Sequence, residues 1–330
     1  MKKTMTKLLA LALAATFALT GCNAGSESGT NDSGTSSSDA NTGSAQEGET
    51  SAEATEHEPI KDLYMSQTVI NEMETFNILY AQSQKEFDVL CNNWDGLLEV
   101  DTHGVPTASI AEEWGTEDGG LTWTFNLRDN ATWVDVNGEE KAKVTSQDFL
   151  TGMEWILNFY KNDSANTSMP LEMIEGAQEY YEYTKTLTQE EAYALTAGEG
   201  SKFQEMVGVE VPDDSTIIYH CIDAKPYFDT VATYACLSPM SQAMVDSLGV
   251  DGVKAMNNET MWYNGCYTMT SYIQGNEKVF TQNPAYWDTD CTRFNTVTIR
   301  MVESNDVAYQ LYQSGEIDEV TLTESNVKTI

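Results

Sequence analysis

The sequence predicts a mixed α/β fold, and three stretches of it carry that prediction. In LTWTFNLRDNATWV, residues alternate with period two: Leu121, Trp123, Phe125 and Leu127 face one way, Thr122, Thr124, Asn126 and Arg128 the other. That is the pattern of a half-buried strand. Asp129 and Asn130 supply turn chemistry before a second short strand, Thr132–Val134. In VTSQDFLTGMEWILNFY the period becomes helical: Thr145 with Asp148 three residues on has the form of a capping box. Phe149, Leu150, Met153, Ile156, Leu157 and Tyr160 then fall on one stripe. The third stretch, NGCYTMTSYIQGNEKVFTQN, reads as two strands joined by a turn at Gln274–Asn276. Hairpins and crossovers mingle with helices, which predicts mixed α/β lobes.

Taken in chain order, the first element is a leader. Lys2, Lys3 and Lys7 precede an apolar or small-residue run from Leu8 to Leu19. Spanning a bilayer takes about 20 apolar residues, so this shorter run reads as a secretory signal peptide. Residues 23–59 hold no Lys or Arg and almost no large apolar side chain; such a composition cannot offset the entropy of ordering and predicts a flexible tether. From Ile60 onward the composition is globular, over a length that favours more than one lobe. After the two strands and the helix already described, residues 171–205 read as helical with an acidic face. A turn at Pro212–Asp214 precedes a strand, and PYFDTVATYACLSPMSQAMVDSLG reads as a helix, a Ser-Pro break and a second helix ending at Gly249. FNTVTIRMV is a strand, and DVAYQLYQSGEIDEVTL a short helix stopped by Gly315 and followed by a strand.

Composition removes several classes of function. The net charge is -35, from 17 basic against 52 acidic residues; such a surface repels nucleic acid and anionic head groups. Beyond Cys22 the cysteines are Cys91, Cys221, Cys236, Cys266 and Cys291, none in a C-x-x-C pair, and the three histidines (His57, His103, His220) are widely spaced. No zinc site follows from this spacing, and an odd number of thiols leaves at least one free. Hydrolase and nucleotide-binding motifs are missing, and adjacent acidic pairs such as Glu112–Glu113 are weak signals in so acidic a chain. No catalytic residue, cofactor or metal site is expected.

Four blocks then carry a family resemblance. NNWDGLLEVDTHGVPTASIAEEW, running into GLTWTFNLRDNATWVDVNGEEKAKVTSQDF, is similar to the opening motifs of the oligopeptide-binding lipoproteins of ABC importers, in the peptide/nickel group of extracytoplasmic solute-binding proteins. NGCYTMTSYIQGNEKVFTQNPAYWD resembles their N-G-x-Y strand and N-P-x-Y-W end, and YQLYQSGEIDEV their S-G-E-I-D segment. Leu19-Thr20-Gly21-Cys22 resembles the bacterial lipobox, which implies diacylglycerol on the Cys22 thiol and cleavage just before it. Cys266, where the family often has a small residue or Pro, and the longer turn Asn137–Glu140 are departures from the pattern.

The resemblance implies a periplasmic-binding-protein type II-like (Venus flytrap) architecture with an extra inserted domain. Residues 1–21 would be the signal peptide and 22–59 the lipidated cysteine and tether. Residues 60–95 plus 205–290 would form a split lobe I, 96–204 an inserted domain II, and 291–330 the start of a lobe III most of which is missing. The implied function is capture of extended oligopeptides, by backbone pairing with roomy side-chain pockets, and delivery to permease and ATPase subunits at the membrane. By the same resemblance Tyr80, Ala81, Gln82 and Ser83 offer backbone to the ligand, and Asn264 and Gly265 lie at the interlobe crossing. Nickel chelates, haem or oligosaccharides within the family, and a lipid-anchored acidic hydrolase or a peptide sensor outside the import role, are the competing readings.

Overall fold

A computed structural model describes residues 61–162, 166–290 and 293–328, which fall in one compact unit. Strand β1 (Asp62–Thr68) leads through short 3-10 turns to helix α1 (Gln84–Leu90). Strands β2 (Leu98–Val100) and β3 (Pro106–Ala108) form a small hairpin, followed by β4 (Ala111–Gly115), β5 (Thr122–Leu127), β6 (Thr132–Val134) and β7 (Glu140–Lys143). Helices α2 (Ser146–Leu157), α3 (Ser168–Met173), α4 (Ala177–Lys185), α5 (Gln189–Tyr193) and α6 (Lys202–Met206) come next. Strands β8 (Val209–Asp213) and β9 (Thr216–His220), helices α7 (Phe228–Val231) and α8 (Gln242–Lys254), and strands β10 (Tyr267–Ile273), β11 (Glu277–Gln282) and β12 (Thr296–Val302) follow, before α9 (Asn305–Ser314) and α10 (Glu324–Val327). The class is mixed α/β, as expected.

Two four-stranded sheets organise the unit. One runs β1-β12-β11-β10, with β1 parallel to β12 and the other pairs antiparallel; the second runs β4-β5-β9-β8, antiparallel throughout. Both cross boundaries that the resemblance implies. Strand β12 lies past 291 yet hydrogen-bonds β1 and β11, and β4 and β5 pair with β9 from beyond residue 205. A ladder of backbone hydrogen bonds joins the strands in each case, so each sheet has strands on both sides of a division, one at 204/205 and the other at 290/291.

Local chemistry fixes most elements where periodicity puts them. Trp123, Phe125 and Leu127 of β5 are buried, whereas Leu121, just ahead of the strand, is 44% exposed. The α2 capping box forms, with Asp148 accepting from the Thr145 N–H at 3.0 Å. Phe149, Leu150, Met153, Ile156 and Leu157 are buried, and Tyr160 lies past the helix end. The expected long helical stretch of 171–205 is instead four short helices. At its first break Gly176 holds φ 69°, and a Cβ there would lie 1.6 Å from the Met206 carbonyl oxygen. Gly249 (φ 69°, ψ 170°) kinks α8 rather than ending it, and helix resumes to Lys254. Gly315 stops α9 in the left-handed region as expected, but no strand follows among the described residues; Asp318 instead brackets Tyr64 of β1, its N–H donating to the Tyr64 carbonyl at 2.7 Å and its carboxylate accepting the Tyr64 N–H at 2.8 Å.

Candidate functional site

The residues nominated as ligand-facing sit at the two ends of α1. At its N-terminal end the chain turns through Asn77–Ser83. Asn77 starts the turn: its Oδ1 accepts from the Leu79 N–H at 3.0 Å and its carbonyl from the Tyr80 N–H at 2.9 Å. The Ala81 N–H donates to the Ile78 carbonyl at 3.2 Å. Ser83 caps α1 in a capping box with Glu86: its N–H donates to Glu86 Oε2 at 3.1 Å, its hydroxyl donates to the same oxygen, and its carbonyl accepts from Glu86 and Phe87. The Tyr80 ring is buried, and its hydroxyl accepts from Trp155 Nε1 at 2.8 Å while donating to the Lys161 carbonyl at 2.5 Å. Asn166, which sequence reasoning did not single out, closes the turn from outside. Its Nδ2 donates to the carbonyls of both Leu79 (2.9 Å) and Ala81 (2.8 Å).

Gln82 stands apart within this segment. It is exposed, and among the described residues neither its N–H nor its carbonyl has a hydrogen-bond partner. The residues on either side are extended, Ala81 at φ -60°, ψ 129° and Ser83 at φ -139°, ψ 162°. An open donor and acceptor between two extended residues is what strand addition uses.

At the C-terminal end of α1, Asn264 and Gly265 are committed to structure. Asn264 is 1% exposed. Its Oδ1 accepts from the Asp95 N–H at 3.0 Å, and its Nδ2 donates to the Asp95 carbonyl at 3.1 Å. The Gly265 N–H donates to the Asn93 carbonyl at 3.0 Å, and its carbonyl accepts from Asn283 Nδ2 at 2.9 Å. A Cβ on Gly265 would meet the Asn93 carbonyl carbon and the Trp94 nitrogen at 2.6 Å. Close backbone approach requires the glycine here, and the Asn264 side chain holds the Asp95 backbone. Seven helical residues separate the two groups, a rise of about 10 Å.

The same end holds a buried carboxyl. Asp95 Oδ2 accepts from Trp287 Nε1 at 2.9 Å, and the Arg128 guanidinium lies 3.4 Å from the centre of a Trp287 ring. Burial pushes the Asp95 carboxyl up to about 7, against the opposing hydrogen bonds from Trp287 and Tyr286. Farther along, Lys278 is fully buried and pairs with Glu72 at 2.8 Å, pinning the β10–β11 hairpin to the turn after β1. Burial works against the Glu72 charge, but hydrogen bonds from Lys278 and the Gly275 N–H outweigh it and hold that carboxyl below the ordinary range.

A groove of about 930 Å³ crosses one face of the β1-β12 sheet, lined by Leu63, Met65, Ile70, Phe280, Val297 and Ile299 among others; none of the nominated residues lines it. No group of three or more metal-ligating side chains occurs among the described residues, and no helix there is long and apolar enough to cross a membrane. Among the described residues the thiols of Cys91, Cys221 and Cys236 form no disulfide. Cys22 and the expected leader and tether lie outside the described residues.

Residues 105–330 match the profile of the bacterial extracellular solute-binding proteins, family 5 middle region. The chain belongs to this family. Family-5 relatives include the oligopeptide-binding protein AliA of Streptococcus pneumoniae, 29% identical over 237 residues, covering 71% of this chain and 33% of AliA. The periplasmic oligopeptide-binding protein OppA of Salmonella typhimurium is 27% identical over 248 residues, covering 75% of this chain and 41% of OppA. Among solved structures, Haemophilus influenzae OppA in complex with RPPGFSPFR aligns with a TM-score of 0.63 at 26% identity, over 78% of this chain and 45% of that one. The pheromone receptor PrgZ aligns with a TM-score of 0.68 at 20% identity, over 82% and 48%. The chain thus spans about a third to a half of the length of these proteins.

Proposed function

We propose that this family-5 chain is part of a receptor that captures extended oligopeptides outside the cytoplasm and hands them to the permease and ATPase subunits of an ABC importer. The observation that carries the proposal is the family match, whose relatives AliA and OppA are oligopeptide-binding proteins. The open, extended backbone at Gln82 supports the same reading, because a ligand bound through its main chain offers complementary groups whatever its side chains are. Capture is by closure of two lobes around the peptide. The sheet ladders favour ending the inserted domain after β9 rather than at 204, and keeping β12 with the sheet of β1. Lipid on Cys22 would hold the receptor at the membrane surface, and two acyl chains meet the requirement for stable anchoring.

Calorimetry on the full-length protein tests the assignment. Tri- to hexapeptides should bind with little dependence on side chain. Binding of nickel, with none of any peptide, would overturn it.

A further inference from the structure

The four residues nominated as backbone donors to the ligand are not equivalent, and the difference traces to a residue 84 positions beyond Gln82 in sequence. Around Gln82 the neighbouring main-chain groups are tied: Ala81 N–H to Ile78, the Leu79 and Ala81 carbonyls to Asn166, Ser83 N–H to Glu86, and the Ser83 carbonyl to the first turn of α1. The Asn166 contribution differs in kind from the others. The other bonds are local to the turn, within a few residues of each end. Asn166 arrives from the segment after α2, and its single amide nitrogen spends both hydrogens on two carbonyls two residues apart. Leu79 and Ala81 are fully buried, so their carbonyls depend on it for a partner. An amide held between alternate carbonyls fixes the peptide plane that the Ala81 carbonyl shares with the Gln82 N–H, and with it the direction in which that N–H projects; the Gln82 carbonyl lies in the next plane, whose Ser83 N–H is held by Glu86.

We propose that Asn166 is the positioning residue of the peptide site: it does not touch the ligand, and it aims the Gln82 N–H so that it donates to a carbonyl of the bound peptide. This rests on the oligopeptide-receptor reading above and adds which residue sets the geometry of that pairing. The Tyr80 hydroxyl, held by Trp155 of α2 and by the Lys161 carbonyl beyond it, anchors the same turn.

The test reads backbone pairing directly. Full-length wild-type protein, Asn166→Ala and Asn166→Ser are each titrated with tetra-alanine and with tetra-alanine carrying a thioamide in place of one amide at a time, which weakens that carbonyl as an acceptor. In the wild type, substitution at the carbonyl that meets the Gln82 N–H weakens binding by up to about tenfold, the loss of one backbone hydrogen bond. In Asn166→Ala that ratio falls towards one, because the parent peptide has lost the same bond. Asn166→Ser, which keeps a single donor, gives an intermediate ratio. A variant that is merely less stable keeps the wild-type ratio in its folded fraction, so a preserved ratio in Asn166→Ala overturns the positioning role. Should that variant not fold, a wild-type ratio in Asn166→Ser overturns it equally. Wild-type binding that is indifferent to thioamide substitution at every carbonyl overturns it as well. Failure of the wild type to bind any peptide overturns the receptor reading instead.

Discussion

Tyr80→Phe removes one oxygen atom and should cost the fold several kcal/mol. The Tyr80 hydroxyl accepts from Trp155 Nε1 at 2.8 Å and donates to the Lys161 carbonyl at 2.5 Å. Trp155 is fully buried and Lys161 is 3% exposed, so neither partner can turn to solvent when the hydroxyl goes. An orphaned buried polar group costs about 1–3 kcal/mol, so two of them set an expectation of about 2–6 kcal/mol. At about 2–4 °C per kcal/mol for a domain of this size, the melting temperature should fall by several degrees and by as much as about 24 °C. Differential scanning calorimetry at one pH and protein concentration reads the shift. A double-mutant cycle separates the hydroxyl from the ring: with Trp155→Phe already present, Tyr80→Phe should cost less, since only the Lys161 carbonyl is then orphaned. An unchanged melting temperature in Tyr80→Phe would refute the accounting, because it would mean that the 77–83 turn is not held by this hydroxyl.

Three further outcomes are expected. Asp95 has a folded pKa of about 7 against an ordinary 3.8, so the folded state binds its proton more tightly than the unfolded state does. Its contribution to stability therefore falls as pH rises from the unfolded value through 7, by about 1.4 kcal/mol per unit at most; Asp95→Asn, which keeps an acceptor for Trp287, should gain on the wild type between pH 5 and 8, and a constant difference in melting temperature across that range would count against it. Gly265→Ala puts a methyl 2.6 Å from backbone atoms of Asn93 and Trp94 and should lower the urea midpoint by an amount matching at least 1–3 kcal/mol, roughly the cost of overpacking; a wild-type midpoint would show that the two segments are not held so close. Cys22→Ala should leave an uncleaved, unacylated precursor, and an unmodified mature N-terminus at any other residue, read by mass spectrometry of the wild type, would remove the lipid anchor.

The elements that could be read from the sequence are those whose determinants are local. The alternation of β5 is legible because one face is buried and the other is not, and the start of α2 because Thr145 and Asp148 cap it within one turn. What escaped is set by residues far away in the chain. The break at Gly176 exists because the Met206 carbonyl lies against it, and a helical period over 171–205 carries no sign of that contact. The sheets cross the implied lobe divisions because β5 pairs with a strand about 90 residues later, and β1 with one more than 200 later. Asn264 and Gly265 have the look of a polar turn open to a ligand; only the Asn93–Asp95 backbone, some 170 residues earlier, reveals that their polar groups are spent. Asn166 has no signal at all in a loop rich in Asn and Ser. Its role depends on two carbonyls whose positions the sequence does not encode locally.

The arrangement around Gln82 bears on how a receptor can bind peptides firmly while remaining indifferent to their sequence. Side-chain pockets that accept anything contribute little directed energy, so the main chain must supply it. Backbone hydrogen bonds are modest, about 0.5–1.5 kcal/mol net. Ordering one residue of a mobile loop costs about 1–2 kcal/mol, which would cancel one such bond entirely. A binding segment that became ordered only with its ligand would therefore gain nothing from pairing. In this chain the ordering is completed on folding: Asn77, Asn166, the Tyr80 hydroxyl and the Ser83–Glu86 box fix the residues on both sides, and one exposed N–H and one exposed carbonyl are left between them. The hydrogen bonds they make are then available to affinity in full, as preorganisation requires. That is why the anchoring residues, which never meet the peptide, are expected to govern its affinity more than the Gln82 side chain does.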